Sequence, residues 1–142
     1  MFLIDKGLWQ GGQVNALPEG TSAVINLDMD DFGTRFRDPD VARVWLPIID
    51  GPFPGIPWLR MAVGILEAMR GADLTVYVHC YAGRSRSVML VAAYLMKRYR
   101  WDVDSALDVI NAENASSEPN PSFVAGLREW KEEMHARRIT IS

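Results

Sequence analysis

Apolar residues come first in three short runs and then in longer stretches of helical period. Residues 23–27 (AVINL), 44–49 (VWLPII) and 74–78 (LTVYV) have the length and apolar content of strands buried on both faces. Residues 7–10 form a weaker fourth run. Behind Pro57, the residues Leu59, Val63, Leu66 and Met69 recur at three- and four-residue spacing across 58–70, which predicts a helix with one buried stripe. Residues 87–99 are apolar nearly all round, as in a helix enclosed on most sides. Asp102 precedes a third helical pattern with Val103, Leu107 and Ile110 turned inward, and Asn120 with Pro121 reads as the cap and first turn of a fourth. Strands gather early and helices late, with strand, loop and helix in succession around residues 74–99. The expected fold is α/β: a single domain over residues 1–142, its central, mostly parallel twisted sheet of four to five strands flanked by helices.

Composition narrows the class. Of the 142 residues 49% are hydrophobic and 23% charged, with a net charge of −3, which leaves neither a basic nucleic-acid footprint nor an acidic disordered tail. No nucleic-acid partner is expected. The single cysteine excludes an internal disulfide and cannot alone build a thiolate zinc site, so a reducing, cytoplasmic location is expected. The opening MFLIDKGLWQ carries an acid within its short apolar run and makes a poor signal peptide. The longest apolar run, 88–96, has nine residues, against about 20 for a membrane-spanning helix. Trp9, Trp45, Trp58, Trp101 and Trp130 read mostly as core, with Trp58, just after the glycine- and proline-rich loop GPFPGIP, placed to lean over the functional site. Asp28, Asp30 and Asp31 complete no calcium loop, and neither a metal nor another cofactor is expected.

The cysteine lies in HCYAGRSRS, residues 79–87, between a buried strand and a buried helix. In open α/β sheets ligands bind at that place. A loop from strand end to helix start directs successive backbone N–H groups, here those of Tyr81, Ala82, Gly83, Arg84, Ser85 and Arg86, into one concavity that suits an anion. Gly83 permits the tight turn. At the base of such a loop Cys80 is surrounded by partial positive charge, which favours thiolate over thiol. Arg86, six residues on, can return its planar fork to two oxygens of a tetrahedral oxyanion above the sulfur. Phosphate suits both. Cys80 would then attack phosphorus in line, and the leaving alkoxide would need a proton from a carboxylic acid that later activates water. Asp50 is the leading candidate, read as ending the strand VWLPIID beside the cysteine strand and opening the loop GPFPGIP. Asp28 is held in reserve, and Asp30, Asp31, Asp38 and Asp40 read as a solvated loop. The alternative for Cys80 is a buried inert thiol, which the glycine, arginines and serines around it disfavour. His135 reads as solvated, and Lys97, Arg98 and Arg100 as cations suited to a helix end.

HCYAGRSRS resembles the signature of the cysteine-dependent protein phosphatases, and in particular the HCxxGxSRS pattern of the dual-specificity branch. The likeness runs from Leu8 to Met134. It includes Asp50 thirty residues before the cysteine, the apolar helix VMLVAAYLMKRY and the segment PNPSFVAGLREW. The resemblance implies Cys80 as nucleophile, Arg86 as phosphate clamp, Asp50 as general acid and base, and Ser87 as a hydroxyl that helps the thiolate leave. By the same resemblance His79 orients the loop from behind, and a shallow site accepts phosphotyrosine and phosphoserine or phosphothreonine in proteins. Arg84 stands where many relatives have an apolar residue. Facing the pocket, it would favour phosphoinositides or other highly anionic phosphoesters; otherwise it faces solvent or pairs with an acid. A catalytically inactive phosphate-binding module is the remaining reading. Nothing in the chain speaks to oligomeric state.

Overall fold

The fold was traced in a computed structural model that describes residues 1–31 and 38–141, with side chains to residue 137. Five strands form one sheet: β1 (Phe2–Asp5), β2 (Leu8–Gly11), β3 (Ala23–Asn26), β4 (Ala42–Trp45) and β5 (Val76–His79), in the spatial order β1-β2-β5-β3-β4. The pairs β2/β5, β5/β3 and β3/β4 are parallel, and β1 joins β2 antiparallel. Helices α1 (Ile56–Gly71), α2 (Arg86–Tyr99), α3 (Val103–Glu113) and α4 (Pro121–Ile141) complete the fold. This is the mostly parallel α/β sheet expected from the apolar runs.

Every residue of the two central strands β3 and β5 is buried, which accounts for their mostly apolar sequence. Helix α2 packs on β2 and β5 and is enclosed by α1, α3 and α4, so all ten residues from Ser87 to Met96 are buried. Each fully buried aliphatic side chain there contributes about 1.5–3 kcal/mol. The first turn of α2 is therefore held by the core, and the loop before it inherits that rigidity. The expected caps are present: Ser105 N–H donates to Asp102 Oδ1 at 2.8 Å, and Phe123 N–H to Asn120 Oδ1 at 3.0 Å.

Register brings three strand ends to one level. Gly11, Asn26 and His79 lie side by side. The residues immediately after these ends, namely Gly12, Leu27 with Asp28, and Cys80, therefore converge at the carboxyl edge of the sheet.

Two expectations require correction. The strand read at 44–49 is β4, residues 42–45, so Asp50 does not end a strand, and β4 pairs with β3 rather than with the cysteine strand. Pro47 has no N–H to extend the ladder. The chain nonetheless stays alongside β3, because Leu46 N–H donates to Asn26 O at 2.8 Å and Ile48 N–H to Leu27 O at 3.1 Å. Of the tryptophans, Trp130 is buried in the core and Trp58 and Trp101 pack against it, but Trp45 is 46% exposed. Trp45 lies on the edge strand, and its Nε1–H reaches Asp28 O at 2.8 Å. No described helix is long and apolar enough to cross a membrane.

Candidate active site

Between β5 and α2 the six residues 80–85 turn tightly against the end of β2. Gly83 has φ 73°, and a Cβ there would lie 2.5 Å from Gly12 N and 2.6 Å from Gly11 C. Reciprocally, a Cβ on Gly12 would lie 2.5 Å from Tyr81 O. Backbone touches backbone here, so neither side can yield. Cys80 N–H donates to Gly11 O at 3.3 Å, and Gln13 N–H to Tyr81 O at 2.8 Å, which fasten the loop to the strand. Cys80 is 2% exposed, with Sγ 3.2 Å from Ser87 Oγ. It lines a pocket of about 340 Å³ together with Asp50, Ala82, Arg84, Ser85, Arg86 and Glu118.

Arg86 is held from behind. Its Nη1 donates to Ile48 O at 3.0 Å and lies 3.5 Å from Asp28 Oδ1, in a largely buried ion pair. Nε and Nη2 make no bond among the described residues. Asp28, the reserve acid, is thus the counter-charge of Arg86. Its Oδ1 also accepts Met29 N–H at 2.7 Å. The exposed residues Asp30, Asp31, Asp38 and Asp40 belong to solvated segments, as expected.

Asp50 reaches the same pocket from a loop docked on the start of α4. Oδ1 accepts from Ser85 Oγ at 2.7 Å and from Asn120 Nδ2 at 2.8 Å, while Asn120 N–H donates to Ser85 Oγ at 2.9 Å. Asn120 Nδ2 also holds Gly51 O at 3.1 Å, and Phe53 N–H donates to Ser122 Oγ at 2.8 Å. Gly126 leaves room for the Phe53 ring, since a Cβ there would lie 2.3 Å from Phe53 Cδ1. Asp50 is exposed, and its Oδ2 carries no bond among the described residues.

His79 lies behind the loop. Its Nδ1 is 3.2 Å from Cys80 O, an atom that only accepts, so Nδ1 carries the proton. The ring stacks on Tyr77 at 5.3 Å, and burial lowers its pKa against the opposing influence of that hydrogen bond and of Asp28. Burial likewise raises the Tyr77 phenol, with the charge of Cys80 adding to it, and the Tyr77 hydroxyl donates to Gly12 O.

Arg84 and Tyr81 sit at the surface. Arg84 Nη2 pairs with Glu118 Oε2 at 3.2 Å, its Nε donates to Ser116 O at 3.3 Å, and Glu118 N–H returns to Arg84 O at 2.7 Å. Tyr81 is 62% exposed and does not line the pocket.

Sequence reasoning missed a polar cluster beneath the loop. Gln10, Ser87 and Asn114 are all at most 1% exposed and are bonded to one another or to Gly83 O. The one available signal was a glutamine followed by two glycines inside an apolar strand. Asn120, Ser85 and Glu118 acquire their contacts with the pocket only in the fold.

A family model for the dual specificity phosphatase catalytic domain matches residues 18–133. The chain belongs to the dual-specificity phosphatase family. It is similar to tyrosine-protein phosphatase yvh1 of Schizosaccharomyces pombe, 37% identical over 95 residues that cover 66% of this chain and 29% of that protein. It therefore spans less than a third of that relative. Phosphatidylglycerophosphatase and protein-tyrosine phosphatase 1 of Rattus norvegicus is 32% identical over 132 residues, covering 85% of this chain and 67% of the relative. The crystal structure of human DUSP28 has the same fold, with a TM-score of 0.87 at 24% identity over 96% of this chain and 99% of that one. As a dual-specificity phosphatase family member the protein is a cysteine-based phosphatase, and Cys80 is its single cysteine.

Proposed function

We propose that the protein hydrolyses phosphomonoesters, without a metal, through a phosphocysteine formed on Cys80. The observation that carries this reading is the convergence of Cys80, Arg86 and Asp50 on one pocket of about 340 Å³. Cys80 Sγ attacks phosphorus as the bond to the leaving oxygen breaks, and Asp50 Oδ2 protonates that oxygen. Arg86 Nε and Nη2, with the backbone N–H groups of residues 81–86, hold the equatorial oxygens. Asp50 then takes a proton from water, whose oxygen attacks phosphorus. The P–S bond breaks with its electron pair left on sulfur, and orthophosphate departs. Hydrolysis of p-nitrophenyl phosphate that persists in excess EDTA, is blocked by vanadate in separate EDTA-free assays and is lost in Cys80→Ser is the expected result. A stable phosphate complex without turnover would show a binding module instead.

The proposed substrates are phosphorylated tyrosine, serine and threonine side chains in proteins. Charge at the pocket supports this choice: Arg84 is paired with Glu118 and Arg86 with Asp28. A headgroup with several phosphates meets no surplus of positive charge. The second reading, an anionic phospholipid or phosphoinositide, is favoured by the relative whose name includes phosphatidylglycerophosphatase and by the 57% exposure of the Arg84 side chain. Comparison of phosphopeptides with short-chain phosphoinositides separates the two. On the protein reading phosphopeptides have the higher kcat/KM, and Glu118→Gln raises the phosphoinositide value several-fold while leaving aryl phosphate hydrolysis nearly unchanged. A native enzyme that already prefers phosphoinositides would overturn the choice.

A further inference from the structure

We propose that Gln10, secured by Asn114, reserves the single hydroxyl proton of Ser87 for the Cys80 sulfur and so sets the rate of phosphocysteine breakdown. This rests on the proposed phosphocysteine chemistry and identifies a positioning residue for its second step.

Proton accounting leads to Gln10. The carbonyl of Gly83 has no proton to give, and it receives both Gln10 Nε2 and Asn114 Nδ2 at 2.9 Å. Those contacts fix which end of each amide is nitrogen. Gln10 Oε1 must then be the acceptor of Asn114 Nδ2 at 3.0 Å, and Asn114 Oδ1 accepts Ser116 Oγ at 2.8 Å. The second Nε2 hydrogen of Gln10 points at Ser87 Oγ, 2.9 Å away. An amide nitrogen only donates, so Ser87 cannot give its proton to Gln10. Two acceptors remain: Gly11 O at 3.1 Å and Cys80 Sγ at 3.2 Å.

The choice between them depends on the state of the sulfur. A sulfur esterified to phosphorus is a weak acceptor, and the hydroxyl turns to Gly11 O, which already receives Cys80 N–H at 3.3 Å. As the P–S bond breaks, charge develops on Sγ and draws the same hydroxyl, with no proton transferred and no heavy atom required to move far. A bond that strengthens only as charge develops lowers the barrier instead of merely tightening the ground state. Donation from Gln10 into the same oxygen polarises the O–H and strengthens it as a donor. The cluster is fully buried, so water does not supply a substitute donor.

The test is rapid-quench kinetics with p-nitrophenyl phosphate on Gln10→Leu, in the native background and in Ser87→Ala. Wild-type turnover and its loss in Cys80→Ser are recorded first, so failure of the phosphocysteine reading is distinguished from failure of this one. Asn114 keeps its own bond to Gly83 in the variant, so phosphorylation of Cys80 proceeds and kcat/KM stays within about twofold. Breakdown slows by up to about tenfold, as for loss of one neutral hydrogen bond, because Ser87 keeps its own bond to the sulfur. A burst of nitrophenolate near one equivalent appears, and kcat and KM fall together. In the Ser87→Ala background Gln10→Leu has no further effect on breakdown. Equal loss of kcat and kcat/KM without a burst, or an undiminished effect in Ser87→Ala, overturns the proposal. If Gln10→Leu does not melt cooperatively, Gln10→Met, unbranched and without a donor, carries the same comparison.

Discussion

Substituting Gly83 by alanine tests whether the loop conformation is imposed by its contact with β2. Two costs act at this position. The backbone has φ 73°, where an L-residue loses about 1–2 kcal/mol. The new Cβ also stands 2.5 Å from Gly12 N, 2.6 Å from Gly11 C and 3.1 Å from Gly11 Cα, all backbone atoms at the end of a paired strand, for which overpacking costs about 1–3 kcal/mol. Together these give about 2–5 kcal/mol. With an unfolding entropy of about 0.3 kcal/mol per kelvin for a chain of this length, Tm should fall by about 7–17 °C. Two controls separate the costs. Gly20 has φ 82° with nothing within 4 Å of its Cβ position, so Gly20→Ala isolates the backbone cost, about 3–7 °C. Gly12→Ala, without a positive φ, isolates the steric one. Thermal melts of the three variants, with aryl phosphate hydrolysis measured alongside, are the assay. Gly83→Ala should lose most activity, Gly20→Ala none. Were Gly83→Ala no more destabilising than Gly20→Ala, the loop would not be wedged against β2, and the geometry assigned to the phosphate cradle would be wrong.

The same contacts support further expectations. Asp50→Asn should lower kcat about 10²–10⁴-fold on phosphoserine-type substrates with poor leaving groups and far less on p-nitrophenyl phosphate, whereas Asp28→Asn should show no such leaving-group dependence. The reverse pattern would make Asp28 the acid. Breaking the largely buried Asp28–Arg86 pair by Asp28→Ala should cost up to about 3–5 kcal/mol in urea unfolding, because Arg86 is left without its counter-charge. Asn120→Ala removes the α4 cap and two bonds to the acid loop; about 0.5–2 kcal/mol should be lost, with kcat on poor leaving groups reduced as well. His79, whose pKa burial lowers, binds its proton more readily unfolded than folded, so stability should decline as pH falls below about 6.5, by at most about 1.4 kcal/mol per unit from this one group. Melts of His79→Gln between pH 8 and 5 should show a shallower decline than the native protein, and parallel curves would refute this assignment.

The chain by itself determined a good deal. Short apolar runs marked β3 and β5, because central strands of a parallel sheet have no wet face, and three- and four-residue spacing marked α1. Asp102 and Asn120 announced the starts of α3 and α4, since a cap is a bond between near neighbours. HCYAGRSRS carries its own turn, charges and thiol within nine residues. Each of these is local chemistry, legible in a window of a few residues.

Tertiary structure decided which distant groups meet. The spatial order of the strands put β3 between β4 and the cysteine strand, and a loop docked on α4 delivered Asp50 where a strand end had been expected. Parallel register made Asp28 the counter-charge of Arg86 and pressed Gly12 against Gly83. Gln10 and Asn114 are 104 residues apart and share hydrogen bonds in a dry core. No local periodicity encodes such a pairing: it arises because buried amides must find partners once strand order and helix packing have removed water from around them.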